Sequence, residues 1–177
     1  MIIRPMRPDD LLAVQDIERS AGEQFRDIGM PEIADDDPFT IDELTRYLRT
    51  GLAWVAADPD DRPVAYLIAD PVDGCLHIEQ VSVDRRHARQ GLGRRLIDHL
   101  AAHAAAARIP ALTLTTFTEV PWNAPYYRRC GFRQLGSAEI TPGLRAVRAH
   151  EAALGLDRWP RACMRRTVEW SPAGSGT

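Results

Sequence analysis

The sequence predicts a mixed α/β domain, and three observations predict it. Apolar stretches of strand and helix character follow one another in the order β-α-α-β-β-β-α-β-α-β-β. Two strands, Leu52–Ala57 and Pro63–Ala69, are parted only by the turn cluster Asp58-Pro59-Asp60-Asp61, which reads as a hairpin. Two others, Leu76–Val83 and Ala111–Phe117, are parted by a helix and Pro110, so they are expected to run parallel. A chain of 177 residues makes one domain with room for a sizeable core, assigned here to residues 1–170; Ser171–Thr177 reads as a disordered tail.

Ile2–Pro5 is the first strand. Pro8-Asp9-Asp10 opens a helix whose apolar face is Leu11, Leu12, Val14, Ile17 and Ala21. Phe25 to Pro38 reads as loop, because Gly29, Pro31 and the run Asp35-Asp36-Asp37-Pro38 break any period. Ile41–Leu48 is a short second helix. The strand Leu76–Val83 follows Asp73-Gly74. A helix begins at Arg94, carries Leu96, Ile97 and Leu100 on one face, and continues through the alanine-rich Ala101–Ala107. Asn123 to Gly131 is a short helix, with Asn123 as N-cap, Pro125 in the first turn and Gly131 as terminator. Phe132–Ile140 is the next strand, Pro142–Leu156 a helical insertion ended by Gly155, and Arg161–Trp170 the last strand.

The chemistry concentrates between Leu76 and Leu100, LHIEQVSVDRRHARQGLGRRLIDHL. A strand gives way to a basic, glycine-containing loop and then to a helix N-terminus. Backbone N–H groups and the helix dipole make such a turn an anion site. Gly91 and Gly93 carry no Cβ to keep a phosphate from the backbone. Arg89, Gln90, Gly91, Leu92 and Gly93 form the cradle, and Arg89, Arg94 and Arg95 are the best-placed phosphate contacts; solvated helix charges are the alternative for the arginines. The loop is no P-loop, since G-x-x-x-x-G-K-[ST] is missing. It is no dinucleotide fingerprint either, since Leu96 stands at the third glycine position.

Flanked by IEQVSV and a helix, Ala88-Arg89-Gln90-Gly91-Leu92-Gly93 resembles the acetyl-CoA motif of the GNAT superfamily of N-acetyltransferases, [Q/R]-x-x-G-x-[G/A]. Ala88 departs from that pattern, which removes one side-chain contact and leaves the backbone cradle intact. Asn123-Ala124-Pro125-Tyr126-Tyr127-Arg128-Arg129-Cys130-Gly131-Phe132 is similar to the family's later element, Asn and Ala ahead of Tyr-x-x-x-Gly-Phe. The opening Ile2–Asp10 is also similar, so the resemblance runs from Ile2 to Phe132, with a strand-like finish near Cys163–Trp170. It implies a mixed, mostly antiparallel sheet, a splayed parallel pair (76–83 and 111–117) and flanking helices. It also implies acetyl-CoA as co-substrate, with no metal.

The resemblance further implies roles for single residues. Tyr127 fills the slot of the acid that protonates the departing thiolate, while Tyr126 reads as packing. Glu79 matches an acidic position, I-[D/E]-x-x-x-V, found in some family enzymes for small amines, and is the candidate base or amine-binding carboxylate. Regular alternation puts His77, Glu79, Val81 and Val83 on one face; His77 is the runner-up base and a water relay a third route. Val81, Ser82 and Val83 would offer backbone groups to the pantetheine arm as an added strand, and Asn123 would bond the same arm or serve as an N-cap alone. The insertion 142–156 is longer than the usual hairpin there and is expected to shape the acceptor side.

The implied activity is direct transfer of an acetyl group to a primary amine, the acceptor a small molecule. A non-catalytic acyl-CoA sensor and a protein or peptide N-acetyltransferase are the alternatives. Cys130 is not expected to be a nucleophile. Net charge −3 implies no overall attraction to nucleic acid or to an anionic membrane. No stretch approaches the roughly 18 apolar residues of a span, and Met1–Asp10 reads as no signal peptide. Three scattered cysteines, Cys75, Cys130 and Cys163, form no C-x-x-C pair and imply a reducing, cytoplasmic setting. The acidic stretch Glu32–Asp37 and Glu23 could attract a cation, although a solvated loop is the ordinary reading. Phe25, Met30, Trp54, Trp122 and Trp159 could line an acceptor pocket, with core packing the default. The resemblance admits a homodimer.

Overall fold

The computed structural model describes residues 1–170; the expected tail, Ser171–Thr177, lies outside them. The chain divides into two compact units, Met1–Asp70 with Glu79–His99, and Pro71–Ile78 with the residues from Leu100 onward.

In the first unit β1 (Ile2–Pro5) pairs antiparallel with β2 (Ala53–Ala57), which pairs antiparallel with β3 (Pro63–Val72). The Asp58 carboxylate builds the intervening turn by accepting from Asp60 and Arg62 N–H, both at 2.9 Å. Arg4 of β1 is buried, held by Asp10 at 2.7 and 3.0 Å and by Asp61 at 2.7 Å, which ties strand, helix start and hairpin turn together. Helix α1 (Leu11–Gly22) buries Leu11, Val14 and Ile17 against Leu44, Tyr47, Val55, Tyr66 and Ile68. Leu12, expected on that face, is 71% exposed, because it stands about 100° round the helix from Leu11. The expected loop 25–38 is partly helical. A 3₁₀ segment spans Glu23–Ile28, and Pro31, pre-set for a first turn, opens α2 (Pro31–Ala34). Helix α3 (Ile41–Thr50) starts on a Thr40–Glu43 capping box and ends at Gly51.

Strand β4 (Cys75–Val83) follows β3 through a two-residue turn in which Asp73 and Gly74 both have positive φ, 49° and 76°. Helix α4 (Leu92–Ala106) starts two residues ahead of the expected Arg94 and buries Leu92, Leu96, Ile97, Leu100 and Ala104.

In the second unit β5 (Ala111–Phe117) runs parallel to β4, Leu76 opposite Leu112 and His77 opposite Thr113. β5 pairs antiparallel with β7 (Arg161–Thr167) along its whole length. Helix α5 (Ala124–Arg129) follows β5 in the chain. The strand expected over 132–140 is only β6 (Arg133–Gln134). Glu139 folds back onto Gly136 N–H and Arg133, at 2.9 and 2.8 Å, and closes the rest into a 3₁₀ turn. The insertion forms helix α6 (Pro142–Ala153), and Gly155 (φ 81°) turns the chain out of it. Leu144 of α6 packs with Leu135 and Cys163. The last strand stops at Thr167, short of the expected Trp170. The strand order is β1-β2-β3-β4-β5-β7-β6, a mixed sheet with one parallel pair among the described residues.

Candidate functional site

The first unit carries the end of β4 and the loop into α4. Along β4 both faces are buried from Cys75 to Ile78; beyond them Glu79 is exposed, Gln80, Val81 and Val83 are half-buried and Ser82 is buried. At the strand's end Asp84 accepts from Arg86 N–H at 2.9 Å and pairs with its guanidinium at 2.8 Å. Ser20 of α1 donates to the same carboxylate at 3.3 Å and receives Arg85 N–H at 3.1 Å. The Arg86 hydrogen bond leads the effects that bring the Asp84 carboxyl down to about 2.

Arg89 (φ 63°) and Gly91 (φ 75°) then turn the backbone left-handed. The first helical bond of the turn is Arg95 N–H to Gly91 C=O at 3.0 Å, so the N–H groups of Leu92, Gly93 and Arg94 precede it. The Leu92 side chain is core, so only its backbone can serve a ligand. Gly91 is exposed, and a Cβ there would meet nothing within 4 Å; its glycine is required by φ rather than by space inside the protein. Gly93 is buried. Arg89 and Gln90 are exposed on the loop and Arg94 and Arg95 at the helix start; Arg94 stands 3.7 Å from Asp98, and Arg95 donates to Met1 C=O at 3.1 Å. Arg85 and Arg86 are bound to Asp27 and Asp84. These groups fit a phosphorylated ligand: a helix-start N–H row, a left-handed glycine and three exposed guanidiniums.

Glu79 is exposed on β4, and its charge is felt by Tyr47, whose phenol burial, first, and then Glu79 hold above its ordinary range. Tyr47 donates to Asp70 at 2.8 Å, and Arg46 grips the same carboxylate at 2.8 and 3.2 Å. His77 does not share that exposure. It is 2% exposed and its Nδ1 stands 2.9 Å from Thr113 Oγ1, so it belongs to the parallel strand pair as a packed residue.

The second unit carries α5. Asn123, expected as N-cap, makes no side-chain cap; its φ and ψ of −110° and −115° aim it elsewhere, and its Oδ1 accepts from Thr116 Oγ1 of β5 at 2.7 Å. Tyr127 follows one turn on, half-buried, its ring edge-on to Tyr126 at 5.6 Å and Phe132 at 5.9 Å. Burial above all, then Cys130, raises its phenol above the usual range while Arg161 opposes them. Among the described residues no group hydrogen-bonds its hydroxyl. Gly131 (φ 90°) ends the helix as expected.

Sequence reasoning missed the ion network beneath α6. Arg161, 8% exposed in its side chain, binds Glu151 at 3.1 Å and Thr115 at 3.3 Å, and lies 4.5 Å over the Phe117 ring. Arg148 joins Glu151 at 2.6 Å. Of the aromatic and methionine candidates, Met30 and Trp54 are core, while Phe25, Trp122 and Trp159 are half-buried. The acidic stretch is partly paired, Glu23 and Asp35 both to Arg26.

The sequence model of the Acetyltransferase (GNAT) family matches residues 13–132. The chain belongs to the GNAT acetyltransferase family. Its fold is shared by Ard1 from Thermoplasma volcanium, at 16% identity and a TM-score of 0.69 over 95% of this chain and 97% of that one. The ribosomal-protein-S18-alanine N-acetyltransferase from Escherichia coli is similar at 19% identity and a TM-score of 0.63, over 99% and 97%. The paia N-acetyltransferase from Thermoplasma acidophilum, solved in complex with coenzyme A, is similar at 13% identity and a TM-score of 0.69, over 94% and 98%. As a GNAT protein the chain is an acyltransferase that draws on acetyl-CoA. No helix among the described residues is long and apolar enough to cross a membrane.

Proposed function

We propose that this GNAT protein transfers the acetyl group of acetyl-CoA directly to the primary amine of a small molecule. The observation that carries the reading is Tyr127: a half-buried phenol, held in its protonated form, in the slot where the family keeps an acid. Bound acetyl-CoA supplies an acyl thioester open to attack by nitrogen. The helix-start N–H groups at Leu92 to Arg94 and the guanidiniums of Arg89, Arg94 and Arg95 hold phosphate charge. Val81, Ser82 and Val83 offer backbone groups to the extended arm, a N–H near Val81 polarises the carbonyl, and Asn123 steadies the same arm. An aliphatic amine with a pKa near 10.4 is only about 0.1% neutral at pH 7.4, so a base is needed. Exposed Glu79, directly or through water, takes that proton, and Tyr127 returns one to the thiolate. The cysteines need form no acyl intermediate, and their buried thiols, in no disulfide among the described residues, suit a reducing, cytoplasmic setting. The partner proposed is therefore a small amine, with neither nucleic acid nor membrane called on and a homodimer admitted.

Tyr127→Phe tests this. Thiol release with a panel of amines should fall about 10²- to 10⁴-fold, with acetyl-CoA affinity by calorimetry unchanged. Acetyl-CoA binding with no turnover on any amine or peptide would transfer the reading to a sensor. Turnover on peptides alone would transfer it to a protein N-acetyltransferase.

A further inference from the structure

An open cavity of about 530 Å³ lies in the first unit, and none of the residues assigned above to acetyl-CoA or to the amine lines it. Its walls come from the start of α1, the turn between β2 and β3, and the residues just past β4. Arg4 ties the first two together. Its guanidinium meets Asp10 at 2.7 and 3.0 Å, Asp61 Oδ1 at 2.7 Å and Asp61 C=O at 3.2 Å. The Arg4 and Asp10 side chains are only 8% and 7% exposed. A charged pair held that deep costs desolvation, and it fixes these walls before any ligand arrives.

Most of the charges that line the cavity are already paired. Asp61 also holds Arg7 at 2.8 Å, Asp84 holds Arg86 at 2.8 Å, and Asp16 holds Arg19 at 3.0 Å. Two exposed lining side chains of opposite sign, the Asp9 carboxylate and the Arg62 guanidinium, have no ion pair or hydrogen bond among the described residues. An anion at Arg62 would share the cavity with Asp9, and a cation at Asp9 would share it with Arg62. A molecule that carries both charges suits both residues. Ala13, Ile17 and Pro63 add an apolar stretch to the lining.

We propose that this cavity is a second ligand site, for a small zwitterion with an apolar side chain (a free amino acid or a dipeptide) whose carboxylate pairs with Arg62 and whose ammonium pairs with Asp9. Charge-assisted hydrogen bonds at both ends fix its direction, and the apolar stretch takes the side chain. A volume of about 530 Å³ is that of an ordinary small-molecule site and admits either length. The inference goes beyond the transfer reaction and stands without it, because the ligand is held by residues that the reaction does not use.

Calorimetric titration of the full chain with leucine and with leucyl-leucine tests it, without and with saturating acetyl-CoA. At least one of the two should bind under both conditions, and the tighter names the source. Arg62→Gln and Asp9→Asn, both at exposed positions, should each weaken that binding about tenfold or more and leave thiol release with the acceptor amine unchanged. Isocaproate, which lacks the ammonium, and inorganic phosphate should bind about tenfold more weakly than the zwitterion or not at all. No binding of either zwitterion at millimolar concentration overturns the proposal, and so does binding that both variants leave unchanged. Isocaproate or phosphate binding as tightly as leucine would make the cavity an anion site and refute the zwitterion. Leucine binding that is lost in Glu79→Gln and kept in Arg62→Gln would place the ligand with the proposed base and refute a second site.

Discussion

At Asp84 the chain leaves β4 for the loop that precedes α4, and a single carboxylate serves Arg86, its backbone N–H and Ser20 together. Its folded pKa, about 2, lies below the unfolded value, so its stabilisation is complete above about pH 4 and is lost as pH falls toward 2. Arg86 is 82% exposed, which screens the pair and leaves on the order of 1 to 2 kcal/mol. Asp84→Asn should lower stability at pH 7 by that amount and flatten the acid limb between pH 4 and 2, read by urea unfolding at several pH values. Single-residue roles were legible where backbone dictates residue type. Gly91, Gly131 and Gly155 all take positive φ, as their neighbours' patterns require. Asn123 was not, because an Asn before a Pro-containing helix serves a cap or a neighbouring strand equally well. Thr116 decides between them from β5.

Among the elements, α6 shows what lies outside local pattern. Pro142 and Gly155 bracket it plainly in the sequence, and both ends fell close to where they were expected. Its anchors are remote. Asp73, in the β3–β4 turn, accepts from Thr141 Oγ1 and from Gly143 N–H at 2.8 Å, while Glu151 binds Arg161 and Thr115 at the other end. A Cβ at Gly143 would stand 2.6 Å from an Asp73 oxygen and 2.7 Å from Val72 Cγ1. Alanine is the better helix former by about 1 kcal/mol, yet Gly143→Ala should lower stability by roughly 1 to 3 kcal/mol as the cap is displaced, visible as a drop in Tm. Breaking the other anchor, Glu151→Ala strands the buried Arg161 guanidinium and should cost about 3 to 5 kcal/mol, measured by denaturant unfolding. Residues 132–140 and 25–38 depart from the expected strand and loop for the same reason. Long-range partners such as the Glu139–Arg133 clasp choose turns and short helices where propensity is undecided.

For the molecule as a whole, strand and helix order carried the fold further than any single motif. The parallel pair, the β2–β3 hairpin and the glycine loop ahead of a helix were all legible, since period and crossover rules act along the chain. Contacts between distant segments were not: Glu18 meets Tyr66 across 48 residues and Thr115 meets Glu151 across 36. All three cysteines are buried and outside any disulfide among the described residues, and burial raises the Cys163 thiol. An aromatic disulfide reagent should therefore label none of them in the native protein within minutes and all of them in denaturant. Rapid native labelling at any one would contradict that burial.

The N-terminal cap of α6 comes from seventy residues upstream, and that separation gives the protein a direction of assembly. A ribosome finishes the β3–β4 turn well before Gly143 emerges, so the late helix arrives to find its anion waiting. Reopening the chain between Asp73 and Gly74 and joining the old ends would reverse that history. Gly143 would then be made before the carboxylate that caps it, and this permutant should fold more slowly than the natural order even though nearly every native contact is retained.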